Sequence, residues 1–272
     1  MTTGIYSRFE VGPASSLTST TEKWNARPVL RESGPPKGLT RALASRLAIR
    51  ILRGEYAPGD YLPIEMDNSA KLGISRSAYR EAIRILVSKG LLDCRPKVGT
   101  QICPRSRWNI LDPDMLQWTF ETEPSEAFVQ ALFELRLITE PAVAELAAQR
   151  RTDADVAQMR ASLDVMRRET LMRDSGRAAD LEFHRTLVSS ARNLFIASMS
   201  STIEAAVSWS TLYKARRYRL NRDPVPDHEQ VLDAIANRDS GAARWSMGLL
   251  IRKAHDDLLA SEPTSSNSTG QL

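Results

Sequence analysis

Asp180 and His184 stand four residues apart in a helical stretch, so both side chains leave the same face, and His228 opens a later helix. Carboxylate oxygen together with imidazole nitrogen suits zinc, nickel or manganese, with coordination positions left open for a small oxygen ligand. The chain has only three histidines, His184, His228 and His255, and all fall in its C-terminal half. The same spacing also describes a surface pair of Asp180 with His184 and a His228 that merely begins a helix, and spacing alone leaves both readings open. A metal-bound water in such a site could serve a hydrolase. No paired general base, Ser/His/Asp set or glycine-rich phosphate loop accompanies it, so no catalytic residues are assigned and an enzyme is not expected.

A second group of residues could read duplex DNA. Lys71-Leu72-Gly73-Ile74-Ser75 makes a tight turn between two helical patterns, Gly73 supplying the backbone freedom and Ser75 the cap of the next helix. Ala78, Ala82, Ile83, Leu86 and Val87 recur at helical spacing as the buried stripe. Ser75, Arg76, Ser77, Tyr79 and Arg80 are then left at the helix start or on its outer face, where guanidinium groups suit guanine and hydroxyls suit phosphate. Beyond Gly90, Leu91 and Leu92 open a strand, Arg95-Pro96-Lys97-Val98-Gly99 makes a basic turn, and Thr100-Gln101-Ile102 returns. This small wing would bring Arg95, Lys97 and Gly99 to the DNA backbone or an adjacent minor groove. Charge supports the reading: Arg41 to Pro104 holds eleven Lys or Arg against six Asp or Glu, whereas the whole chain holds 37 against 33.

These residues need two kinds of scaffold. A mainly α chain is expected, with an N-terminal winged helix-turn-helix over 38–104 and a C-terminal antiparallel all-helical bundle of about six helices over 125–261. The length of 272 residues, 42% of them apolar, is ample for two domains. Residues 105–124 read as a linker with a short helix, Asp112 its cap and Pro113 its first residue. The stretch from Trp108 to Trp118 is the route between domains, and substitution of Trp118 is expected to alter induction more than operator affinity. Residues 1–37 and 262–272, rich in Ser, Thr, Pro and Gly, read as disordered. Two cysteines, Cys94 and Cys103, fit reduced thiols. No secretory signal or membrane-length apolar run is read, which points to the cytoplasm.

Residues 39 to 104 resemble the DNA-binding domain of the GntR superfamily of bacterial transcription regulators, through LTRALASRLAIRILRGEY, the turn Ala57 to Pro63, GISRSAYREAIRIL and the wing LLDCRPKVGTQI. The resemblance implies operator contacts from Ser75, Arg76, Ser77, Arg80 and Lys97. Met66 and Asn68 depart from the usual polar and apolar residues of the second helix. Residues 127 to 260 resemble the FCD effector domain of the FadR-type branch, through Phe133 to Pro141, Asp180-Leu181-Glu182-Phe183-His184, Asn193 and His228 before Val231. That resemblance implies a divalent metal on Asp180, His184 and His228. The fourth ligand position falls on Leu250, and His255 lies five residues later. It also implies Arg136 as an effector-binding residue that grips a carboxylate, the alternative being an exposed helix arginine. The linker RWNILDPDMLQW is similar to that of sugar-acid-responsive, galactonate-repressor-like members. Together these imply a homodimeric repressor of a catabolic operon, released from double-stranded operator DNA by a sugar acid or hydroxy acid.

Overall fold

The computed structural model describes residues 37–62, 75–95, 97–217 and 222–259. Among them are ten α-helices and one two-stranded sheet, so the chain is mainly helical as expected. The turn at Lys71 to Ile74, Gly73 included, lies outside the described residues, as do Met66, Asn68, residues 1–36 and the tail after 259.

The winged part begins with α1 (Lys37–Leu52), which buries Leu43, Ala44, Leu47, Ala48 and Ile51 at helical spacing. Ser75 caps α2 (Arg76–Ser88), its hydroxyl accepting from the Ala78 amide at 3.2 Å. Two positions on α2 differ from the sequence expectation. Tyr79 is buried, 3% exposed, and Val87 is 39% exposed. Tyr79 shares the line of Ile83 and Leu86, four and seven residues along, whereas Val87 sits one step round the helix from Leu86. The wing is β1 (Leu92–Arg95) paired antiparallel with β2 (Gly99–Ile102), in the register Leu92 to Ile102 and Arg95 to Gly99. Asp60 to Leu62 borders β2, with Leu62 N donating to Thr100 O at 2.8 Å. Cys94 and Cys103 are both free thiols.

A short helix, α3 (Pro113–Glu121), joins the two parts. Asp112 caps it as the sequence indicates, accepting from the amides of Asp114 and Met115. Its two faces belong to different cores. Met115 and Trp118 pack with Leu47, Leu86 and Leu92 of the winged part, while Leu116 and Phe120 pack with Phe133 and Phe183 of the bundle. Trp118 is thus a core residue of the winged part, and truncating it would damage that core as well as the connection.

Helix α2 is tied to α3 by charge. Lys89, the C-cap of α2, is buried, with Nζ 2.6 Å from Asp112 and 2.7 Å from Asp114, and it lies over the Trp118 ring. Asp114 also meets Arg41 of α1 at 3.1 Å. Burial opposes ionisation of Asp114, and Lys89 and Arg41 outweigh it, so the carboxyl stays below its ordinary value. Lys89→Met leaves Asp112 without its cation and Asp114 with Arg41 alone. It should lower the stability of the winged part by about 1–3 kcal/mol in urea titrations and change effector response more than metal binding. An unchanged unfolding midpoint together with unchanged response would count against the tie.

The bundle contains α4 (Glu126–Arg150), α5 (Asp153–Glu169), α6 (Asp174–Ser190), the one-turn α7 (Leu194–Ser198), α8 (Ser200–Arg217), α9 (Val225–Ala236) and α10 (Ser240–Leu259). Local capping sets several boundaries. Ser125 caps α4, Thr152 makes a capping box with Asp155, Asn193 caps α7, and Asp239 accepts from Ala242 N at the start of α10. Helices α4 and α10 pack side by side, as do α5 and α6, and α6 also meets α4 and α8. Phe133, Phe183, Met159, Leu187, Val231 and Ile251 fill the space between them.

Candidate functional site

On three helices of the bundle the core-facing stripe turns polar. On α4, Arg136 and Glu140 follow Phe133 and precede Val143; on α6, Asp180 and His184 flank Phe183; on α8, Ser210, Thr211 and Lys214 follow Val207. All seven of these polar residues are buried, and so is His228 at the start of α9. Neither a surface Asp180–His184 pair nor an exposed Arg136 is what the fold forms: Asp180, His184 and Arg136 are 4%, 1% and 4% exposed.

Asp180, His184 and His228 come together, with one ligand atom of each within 4.8 Å of the others. His228 Nε2 lies 3.1 Å and His184 Nε2 3.8 Å from Asp180 Oδ1. The contact from His228 is close but badly angled for a hydrogen bond, so its Nε2 is a buried polar atom without a hydrogen-bond partner. Its Nδ1 is 2.9 Å from the Pro224 carbonyl oxygen, an arrangement that puts the ring proton on Nδ1 and leaves the Nε2 lone pair toward Asp180. His184 Nδ1 lies 3.1 Å from Glu140 Oε2, a close contact that likewise makes no hydrogen bond, and its Nε2 lies 3.8 Å from Asp180 Oδ1. Metal-binding histidines are commonly oriented in this way, by a carbonyl or carboxylate behind the ligating ring. The three side chains therefore fit a divalent cation.

The two buried carboxylates of the site are both held ionised. Burial opposes ionisation of Asp180, but His228, His184 and Lys214 outweigh it and hold the carboxyl at about 2. Glu140 is held at about 2 as well, burial being outweighed by Arg136 and His184. Arg136 Nε donates to Glu140 Oε1 at 2.6 Å and its Nη1 donates to Ser210 Oγ at 2.9 Å. Arg136 is in the site, but its guanidinium is bonded to Glu140.

A small cavity of about 30 Å³ adjoins these ligands, bounded also by Lys214, Arg222 and Leu250. Leu250 is buried at the fourth ligand position and supplies only hydrocarbon. His255 is elsewhere, its ring 4.9 Å from that of Phe133. Among the described residues the protein ligand set thus stops at three, which would leave coordination positions open on a bound ion. Glu140, Lys214 and Arg222 were not singled out by sequence reasoning. The visible signal for Glu140 was its place four residues after Arg136, and for Lys214 a lysine on the apolar line of Ile203, Val207 and Ser210.

The winged part presents a second surface. Ser75, Arg76, Ser77 and Arg80 are exposed together at the start of α2, and Arg95, Lys97 and Gly99 are exposed at the wing. Ser75 is already engaged as the cap and bonds Ser77 Oγ at 3.0 Å. Arg95 is 3.3 Å from Asp93, a weak exposed pair. Lys97 at φ 65° and Gly99 at φ 122° form the reversal at the wing tip.

The model for the gntR family of bacterial regulatory proteins matches residues 39–102, and the FCD domain model matches residues 131–253. Over 211 residues the chain is 31% identical to the galactonate operon transcriptional repressor of Escherichia coli (strain K12), covering 75% of this chain and 90% of the relative. The chain belongs to the GntR family of bacterial regulatory proteins. This GntR protein carries an FCD domain and is a DNA-binding transcriptional regulator, and the hydrolase alternative finds no support in the family. It is also 28% identical over 216 residues to the Exu regulon transcriptional regulator of Escherichia coli (strain K12), covering 78% of this chain and 81% of the relative. A solved structure of Lar, described as controlling expression of the Listeria monocytogenes agr system, has a TM-score of 0.55 at 20% identity. It covers 84% of this chain and all of that one, and the likeness concerns the fold. Among the described residues of this GntR regulator, no helix is long and apolar enough to cross a membrane.

Proposed function

We propose that this regulator is a cytoplasmic, homodimeric repressor released from operator DNA by a sugar acid or related hydroxy-carboxylate bound in the helical domain. The observation that carries the reading is the buried Asp180, His184 and His228 set, with one ligand atom of each within 4.8 Å of the others, beside a cavity lined with cations. A divalent ion such as zinc, nickel or manganese held there supplies open positions for the oxygens of such an acid. Two relatives are named for the galactonate operon and the Exu regulon, and this favours sugar acids over other carboxylates.

Space ties binding to movement. The cavity, about 30 Å³, holds one or two waters, far less than the roughly 300 Å³ of an ordinary ligand pocket. A sugar acid must spread the surrounding helices, and α3, with Leu116 and Phe120 in the bundle core, carries the displacement to Met115, Trp118 and Lys89. The effector must then favour the non-binding arrangement through its own differential affinity, typically about 1–3 kcal/mol.

On the DNA side, Arg76 and Arg80 enter the major groove, Ser75 and Ser77 face phosphates, and Arg95, Lys97 and Gly99 meet the backbone at the wing. Arg76→Ala with Arg80→Ala should weaken binding to a duplex selected by the protein from a random pool by about 30-fold or more, with the sugar-acid response of the bundle intact. Retained affinity in fluorescence anisotropy would remove α2 from the interface.

A further inference from the structure

Three cations border the cavity, and two of them are already satisfied. Arg136 is bonded to Glu140 and Ser210. Arg222 is paired with Asp257 at 2.9 Å and with Asp227, which also holds Lys253. Lys214, on α8 and 7% exposed, has no ion pair or hydrogen bond among the described residues. Building on the effector reading above, we propose that Lys214 is the residue that takes the effector's carboxylate, and that Arg136 instead serves as a support for Glu140 and His184.

The physical case rests on the placement of that ammonium. An unpaired buried cation is unfavourable, and the deficit becomes binding energy when an anion enters. Burial and the neighbouring Arg136 push the Lys214 ammonium down to about 8, and the charges of Asp180 and Asp257 offset them only in part. One turn earlier on α8, Thr211 Oγ1 donates to Asp180 Oδ2 at 3.4 Å, so this helix lines the ligand side of the metal-binding set. The present cavity, bounded by Lys214 and by those ligands, has room for a carboxylate group, about two water volumes. An α-hydroxy acid would then set its carboxylate against Lys214 while its hydroxyl faces Asp180 and the histidines. A neutral sugar or lactone has nothing to offer the ammonium and is rejected.

The test uses the full-length, zinc-loaded protein and its Lys214→Met and Lys214→Arg variants. Galactonate, galacturonate, lactate, succinate and octanoate are titrated in calorimetry and thermal shift, with galactono-lactone as the neutral control. Zinc affinity is read separately by competition with a chromophoric chelator. Lys214→Met should bind the responsive acid about 30-fold or more weakly, keep zinc affinity near that of the wild type, and melt no lower when unligated; Lys214→Arg should recover part of the loss. Wild-type-like acid binding in Lys214→Met, or a loss that follows zinc affinity, overturns the assignment and leaves the sugar-acid reading standing. Lys214-dependent binding of lactate, succinate or octanoate alone supports the assignment and removes the sugar-acid reading. If no carboxylate binds the wild type, both fall.

Discussion

Glu140→Ala is expected to destabilise the bundle by about 3–5 kcal/mol and to weaken zinc binding by about 10- to 100-fold. The carboxylate is 1% exposed, bonded to Arg136 on one side and 3.1 Å from His184 Nδ1 on the other. Its removal leaves a buried guanidinium with Ser210 as its remaining hydrogen-bond partner, and it frees the His184 ring to turn. Urea unfolding reads the first effect and chelator competition the second. Replacing both partners by hydrocarbon, Arg136→Met with Glu140→Leu, should restore most of the stability without restoring zinc affinity, because packing can substitute for the ion pair but not for the orientation of His184. A pH series adds a signed expectation. The folded chain holds the Glu140 proton less tightly than the unfolded chain does, so the stabilisation is complete above the ordinary value of 4.5 and is lost as pH falls toward about 2. Glu140→Gln should flatten that acid limb. A loss of less than about 1 kcal/mol in Glu140→Ala, with unchanged zinc affinity, would contradict the role given to this residue.

Gly90→Ala should abolish DNA binding while leaving the bundle folded. Gly90 has φ 75°, and a β-carbon placed there would lie 2.0 Å from the backbone oxygen of Arg107. The left-handed conformation alone costs an alanine about 1–2 kcal/mol, and the collision adds to it. Neither side of the contact is free to move. Leu91 N donates to Leu86 O, Cys103 N to Leu91 O, and Asn109 N to Lys89 O, which fixes the end of the recognition helix against the start of the linker. The variant must therefore displace α2 from the wing. Anisotropy with selected duplex DNA should show the loss, while zinc binding and the helical circular-dichroism signal persist. Wild-type DNA affinity in Gly90→Ala would mean that the relation between α2 and the wing does not govern recognition.

Features legible in the sequence were those set by near neighbours. Ser75 and Asp112 declared their caps through local hydrogen-bonding chemistry, and the wing declared itself through its basic turn between short apolar pairs. Val87 sits at the margin of the apolar stripe, where one helical step of about 100° decides burial, whereas Tyr79 lies between Leu86 and Ile83 on the stripe and is buried with them. The ligand set was half legible. Asp180 and His184 share one turn of α6, but the approach of His228 depends on how α9 lies against α5, α4 and α10, which no spacing records. Glu140 and Lys214 were passed over because a charged residue on a helix ordinarily faces water. Their position on the same lines as Phe133 and Val207 is the trace they leave. Polar residues interrupting apolar stripes on α4, α6 and α8 jointly mark a buried site, a pattern that becomes decisive only when the three helices are seen side by side.

The most direct test of the whole account follows DNA and ligand together. Full-length, zinc-loaded protein bound to a fluorescent duplex selected from a random pool is titrated with galactonate, in parallel with Asp180→Ala. The account predicts that anisotropy falls toward that of free DNA for the wild type, whereas Asp180→Ala binds the duplex equally well and does not release it. Release at the same galactonate concentration from both proteins would contradict it, since the buried Asp180, His184 and His228 site would then have no part in controlling the winged domain.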